Sequence, residues 1–234
     1  MSGKVSPGEG DLIWHAKPNR VWKLTLPADC GGDAIVFKES LANRQYRYLV
    51  SPTPTAREGA HYIMLERLGL PVADLLAVGD LRTGRRLDRS FIVTRFAEGY
   101  QDGRAFVLNG ARAGDLALRN AFIRECVGKL ALLHRIYFYH KGFKAYNVLW
   151  RESASPGLVD LCLIDFASCR FRPKFTFAHH VVEDLADFFA SLLLPESELD
   201  PHLAVYLACN PGCGMNEAAL RKRVASRMAG TVRR

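Results

Sequence analysis

One stretch restricts this chain more than any other: residues 134 to 167, HRIYFYHKGFKAYNVLW and then, after a short connector, LVDLCLIDFA. A helix ending near Leu133 leads into a polar loop, and a short apolar strand, Leu158 to Ile164, delivers Asp165. Laid side by side, the two elements bring Asn147 and Asp165 to within a few ångströms of each other. Two oxygen-bearing side chains converging at the end of a hairpin suit a hard cation such as Mg²⁺, which takes oxygen ligands and accompanies phosphates.

Upstream, residues 20 to 26 (RVWKLTL) and 34 to 38 (AIVFK) run apolar around the Cys30-Gly-Gly-Asp33 turn, a hairpin signal. The second strand ends on Lys38. A lone lysine there is ordinarily just solvated, so its company decides its meaning. A helix is expected from Thr55 through Arg67, stopped by Gly69 before Pro71, with Ile63, Met64 and Leu68 on an apolar stripe and Glu58 in its first turn. A carboxylate in that position complements the helix dipole or pairs with Lys38. Residues 72 to 78 are strand-like, 82 to 89 form a basic turn, and 90 to 94 form another strand leading into Arg95-Phe-Ala-Glu-Gly99.

In the second half, a helix from Asp115 to Leu133 places Leu118, Phe122, Cys126, Leu130 and Leu133 at helical spacing, which makes them core. Past Asp165 comes a basic cluster, Arg170 to Lys174, then a helix from Val181 to Leu194 that carries Asp184. The last helix, residues 216 to 230, is basic and amphipathic and is followed by Arg233-Arg234. Its Arg221, Lys222, Arg223 and Arg227 form a cationic face suited to an anionic leaflet.

The order of these residues resembles the protein-kinase superfamily. His140, Lys141, Gly142, Phe143, Lys144 and Asn147 fill the His-Arg-Asp-Leu-x-x-x-Asn pattern, and Asp165, Phe166 and Ala167 fill Asp-Phe-Gly. Val36-Phe37-Lys38 resembles the Val-Ala-Ile-Lys strand, and REGAHYIMLERLGLP is similar to the corresponding helix of small-molecule kinases in this superfamily. Over about residues 14 to 225 the chain resembles the lipopolysaccharide kinase group, the Kdo and core-heptose kinases that phosphorylate sugars of the lipopolysaccharide core at the inner membrane.

That resemblance implies an α+β, two-lobed fold: a flexible N-terminus over 1–13, a lobe over 14–97 built on a small antiparallel sheet, and a mainly helical lobe over 98–234 with the basic C-terminal helix. It implies ATP and Mg²⁺ as cofactors, with Lys38 on the phosphates and held by Glu58, the main chain of Arg95, Phe96 and Ala97 around the adenine, and Asn147 and Asp165 on the metal. His140, Gly142, Lys144, Asn147 and Asp165 then form the catalytic set, Lys144 steadying the transferred phosphate, and Asp184 caps the His140 loop.

Two positions depart from the family. Gly142 stands where an aspartate accepts the proton of the substrate hydroxyl, and no other Asp or Glu lies between His134 and Asn147. No Gly-x-Gly-x-x-Gly loop precedes Lys38, so a loop over phosphates must come from the Lys17-Pro-Asn-Arg20 turn or from Gly31-Gly32. Two functions therefore stay open. One is ATP-dependent phosphotransfer to a sugar hydroxyl of a glycolipid without the usual base; the other is a pseudokinase, a nucleotide- or glycolipid-binding regulatory module.

Composition agrees with this range. With 234 residues, 49% of them apolar, the chain buries a substantial core. The net charge of +8 favours anionic partners, among them nucleotide phosphates, a phosphorylated glycolipid and an anionic membrane face. Nucleic acid is disfavoured, because the basic residues are scattered and no recognition motif interleaves them with aromatics. The six cysteines lack metal-ligand spacing and read as small buried hydrophobes. A polar N-terminus without an apolar signal core, and no uncharged run of spanning length, lead to an expected cytoplasmic location with peripheral contact at the inner membrane.

Overall fold

The computed structural model describes residues 10–16, 19–41, 45–108 and 114–231. Lys17 and Pro18 of the expected phosphate turn lie outside the described residues, as do Arg233 and Arg234. The chain divides after Glu98 into two compact units.

The first unit is an antiparallel sheet in the order β1-β2-β3-β5-β4, made of β1 (Asp11–Ala16), β2 (Asn19–Thr25), β3 (Ala34–Leu41), β4 (Leu75–Thr83) and β5 (Arg86–Arg95), with helix α1 (Pro54–Arg67) between β3 and β4. β1 begins at Asp11, inside the stretch expected to be a flexible N-terminus, because it gains a partner in β2. The β2–β3 hairpin turns where the sequence predicts. Gly31 and Gly32 have φ of 99° and 67°, a conformation that costs glycine little, and Leu26 N–H donates to Asp33 O at 2.9 Å to close the turn. Trp22, Leu24, Ile35 and Val93 make the buried face of the sheet, with Phe37 stacked on Phe91 at 5.6 Å.

Two expectations change here. The basic turn over 82–89 is instead a tight hairpin, in which Thr83 pairs with Arg86 and Arg82 with Leu87. Helix α1 buries Thr55, Glu58, Gly59, Tyr62 and Leu65, while Ile63 and Leu68 of the expected stripe are exposed. Gly59 accounts for the difference. A Cβ at that position would meet Val78 Cγ2 at 2.4 Å, so the helix rests on β4 through its glycine and turns Glu58 inward. Thr53 caps the helix, its hydroxyl accepting from Ala56 N–H at 3.2 Å.

The second unit is mainly helical. It contains β6 (Gln101–Asp102), α2 (Ala105–Leu108), α3 (Leu116–Arg135), β7 (Phe138–Tyr139), β8 (Val148–Glu152), β9 (Val159–Leu163), β10 (Arg170–Phe171), α4 (Lys174–Ser191), α5 (Leu199–Cys209) and α6 (Glu217–Thr231). Asp115 caps α3 by accepting from Leu118 N–H at 3.0 Å, and the stripe of Leu118, Phe122, Cys126, Leu130 and Leu133 is buried as its spacing requires. Around it close Phe106, Trp150, Phe188 and Phe189, with Phe106 stacked on Trp150 at 4.5 Å. Helix α4 begins at Lys174, earlier than the expected Val181, so Asp184 sits in the middle of a helix rather than in its first turn. It is 1% exposed.

Candidate active site

In the first unit, Lys38 sits in the middle of the sheet, opposite Val21 on β2 and Ile92 on β5. Its ammonium donates to Glu58 Oε1 at 3.0 Å, and Glu58 is 2% exposed. A buried carboxylate is tolerated only when paired, so the pair fixes the direction of the lysine. The segment after β5 is less open than expected. Arg95 N–H donates to Asp74 O and Phe96 N–H to Ala34 O, each at 2.9 Å, and the Arg95 guanidinium pairs with Asp33 and Asp74. Of the three expected adenine-binding residues, Ala97 is the one whose N–H meets no acceptor among the described residues.

In the second unit, β7 leads directly into the His140 loop. The loop hangs from Asp184: Oδ2 accepts from His140 N–H at 2.8 Å and Oδ1 from Lys141 N–H at 2.9 Å. Asp184 is positioned in turn by a buried chain of polar groups. Asn210 Nδ2 donates to Tyr206 Oη at 2.9 Å, the Tyr206 hydroxyl meets His134 Nδ1 at 2.8 Å, and His134 Nε2 meets Asp184 Oδ2 at 3.2 Å. Ser191 Oγ accepts from Ala145 N–H at 2.8 Å and holds the far end of the loop. His134, Tyr206, Asn210 and Ser191 are not found by motif, because what selects them is a buried polar partner: Asp184 and one another for the first three, the Ala145 N–H for Ser191.

His140 lies behind the loop surface. Its ring is buried, lies edge-on to Phe143 at 5.3 Å and Phe166 at 5.4 Å, and neither nitrogen has a hydrogen-bond partner among the described residues. Burial lowers its pKa. Its ring joins the loop to Phe166, the residue after Asp165.

Gly142 has φ of 156°, and a Cβ there would find only Asn147 Nδ2, at 3.9 Å, so the position has room for a side chain. Its carbonyl accepts from Asn147 Nδ2 at 2.8 Å. That bond assigns the amide nitrogen of Asn147 to the loop and leaves Oδ1 as the oxygen a cation would meet. Ile164 N–H donates to Asn147 O at 3.1 Å, extending the β8–β9 ladder by one residue, so Asp165 follows Asn147 immediately across the hairpin. Asp165 is exposed with φ of 64°, a strained conformation for a residue other than glycine.

An amide oxygen and a carboxylate fit Mg²⁺, which takes few protein ligands and keeps the rest of its shell for water and phosphate. No cluster of three or more His, Cys, Asp or Glu ligands exists among the described residues. Lys144 is half-buried beside the Tyr146 ring at 5.8 Å, and its charge also reaches Asp187, whose pKa is raised mainly by burial.

The expected cationic face of α6 is partly neutralised. Arg221 pairs with Asp200 at 2.6 Å and Arg227 with Glu183 at 2.9 Å, because α6 packs on α4 and α5, which carry the acids.

An antiparallel sheet whose lysine is clasped by a helix carboxylate, and a helical unit with a capped asparagine loop followed by an aspartate at a hairpin end, define a protein-kinase-like fold. The chain belongs to the lipopolysaccharide kinase (Kdo/WaaP) family, whose model matches residues 37–202, and its role is of the kinase type. Among solved structures it is similar to WaaP in complex with acyl carrier protein, at 19% identity and a TM-score of 0.66 over 96% of this chain and 86% of that one. No curated protein matches. No helix among the described residues is long and apolar enough to cross a membrane.

Proposed function

We propose that the chain transfers the terminal phosphoryl group of ATP to a sugar hydroxyl of a lipopolysaccharide-type glycolipid. The observation that carries this reading is the Asp184-capped loop, which presents the Asn147 side chain from a fixed backbone beside Asp165. On this reading residues 14–97 form the nucleotide lobe and 98–234 the acceptor lobe. Lys38, fixed by Glu58, holds nucleotide phosphates; Ala97, with Arg95 and Phe96 beside it, borders the adenine; Lys144 steadies the phosphoryl group. Asn147 and Asp165 would hold Mg²⁺, which supplies charge neutralisation on the phosphates.

With no carboxylate at 142, proton removal from the acceptor is left to water or to the substrate. Positioning and charge neutralisation carry most of phosphoryl transfer, whereas a general base contributes about 10²- to 10⁴-fold. Gly142 also favours a second reading, a pseudokinase that binds nucleotide or glycolipid and regulates a partner. Since the similar WaaP was solved with an acyl carrier protein, a carrier protein is the first partner to offer this chain.

The test is ATP consumption with lipopolysaccharide core acceptors, alongside a thermal shift with Mg²⁺-ATP. Turnover above the acceptor-free rate supports the kinase. A thermal shift that Asp165→Asn abolishes, with no turnover under any acceptor, supports the pseudokinase. Saturating nucleotide without either effect removes the kinase and leaves the regulatory module with glycolipid alone.

A further inference from the structure

Residues 170 to 175, Arg-Phe-Arg-Pro-Lys-Phe, present a surface unlike the rest of the helical unit. Phe175 is 88% exposed and Phe171 54% exposed, and the cations Arg170, Arg172 and Lys174 alternate with them. Among the described residues none of these three cations has an ion-pair partner, whereas Arg221 and Arg227 on α6 each have one.

Nor is this a loose loop. Arg170 pairs with Tyr139 and Phe171 with Phe138 across β10 and β7, Arg172 N–H donates to Tyr137 O at 3.0 Å, and Cys169 Sγ–H donates to His140 O at 3.1 Å. The Phe171 ring leans edge-on against Phe138 at 5.3 Å. Helix α4 then starts at Lys174 and carries Phe175 in its first turn. The backbone is ordered on both sides, and still the rings face water, which leaves their apolar burial unrealised.

We propose that this segment is the surface through which the chain rests on an anionic lipid layer. Phe171 and Phe175 enter the boundary between headgroups and acyl chains, while the exposed Arg170 and Lys174 meet lipid phosphates. Exposed apolar rings flanked along the chain by cations without an ion-pair partner among the described residues are what an interfacial segment requires. The surface does not depend on catalysis. It does bear on it, because β10 pairs with β7 and β7 runs straight into the His140 loop, so a lipid-borne acceptor would arrive next to Gly142.

The experiment is co-sedimentation of the full chain with vesicles of phosphatidylcholine containing phosphatidylglycerol, and with phosphatidylcholine alone, at low and high salt. The expected result is binding that needs the anionic lipid, fades with salt, falls about tenfold in Phe175→Ser and falls about fivefold for each of Arg170→Gln and Lys174→Gln. Lys222→Gln and Arg223→Gln on α6 should leave it unchanged. Because Phe175 is so exposed, Phe175→Ser should keep the wild-type melting temperature. In Phe175→Trp, added anionic vesicles should shift the emission to the blue. Equal binding to neutral vesicles, no binding to either kind, loss through the α6 variants with Phe175→Ser unaffected, or an unshifted Phe175→Trp spectrum each overturns the proposal. So does capture of soluble polyglutamate through Phe175 without vesicle binding, which would reassign the surface to an acidic protein.

Discussion

The side-chain amide of Asn147 and the main-chain carbonyl of Gly142 are joined at 2.8 Å, so the proposed metal-side residue and the position proposed to lack a base belong to one hydrogen-bonded turn. A carboxylate installed at 142 would enter a turn whose geometry is already set. Gly142→Asp is therefore expected to raise ATP turnover by up to about 10²- to 10⁴-fold. The φ of 156° charges this variant about 1–3 kcal/mol in stability. Turnover and melting temperature measured on the same preparation check both halves. A drop in turnover from an active wild type would show that the enzyme works by a route in which 142 must stay bare.

The Lys38–Glu58 pair sets a second expectation. Lys38→Met leaves the buried Glu58 carboxylate without its ammonium and should cost about 3 kcal/mol of stability. Adding Glu58→Gln should recover part of that loss, which a double-mutant cycle in urea would measure. All three variants should lose the thermal shift with Mg²⁺-ATP. A shift retained in Lys38→Met would remove the lysine from the phosphates.

Asp184 accepts from two main-chain donors and faces His134, so Asp184→Ala strands several buried polar groups at once. We expect a loss of about 3 kcal/mol or more and faster amide exchange at His140 and Lys141. Asp184→Asn keeps one acceptor oxygen and should fall between wild type and alanine. Unchanged exchange at both amides in the alanine variant would refute the capping role.

Stability should also fall on acidification because of His202. Burial, with Arg119 adding to it, lowers its pKa from 6.5 to about 4 in the folded chain. Between these values the unfolded state binds the proton and the folded state does not, so stability rises with pH across the window and is lost as pH drops from about 6.5 toward 4. The whole contribution is about 3 kcal/mol. Buried His140, whose pKa is also lowered, acts in the same direction. Urea titrations at pH 7 and pH 5 should show the slope, and His202→Phe should flatten it.

How much of this was readable in advance depends on the kind of signal. Helix α3 and the β2–β3 hairpin were legible because period, cap and turn glycines all agree. The Lys38–Glu58 pair and the placing of Asn147 beside Asp165 were legible because chemistry confines each to a few residue types. The buried face of α1 was not, since it follows from the contact of Gly59 with Val78 on a strand nineteen positions later. The start of α4 was hidden by its basic-aromatic sequence, which reads as a loop until β10 pairs with β7. The network behind Asp184 was invisible for a similar reason: His134, Tyr206 and Asn210 come together only when α3, α4 and α5 are packed.

The suspension of the His140 loop from Asp184 has a consequence for residue 142. The loop keeps its shape through a carboxylate on another helix, 42 positions beyond Gly142. Residue 142 contributes its carbonyl, which every amino acid has, and a φ of 156°, which glycine adopts most readily. An acid can therefore be introduced at 142 without dismantling what suspends the loop, its cost confined to one backbone conformation.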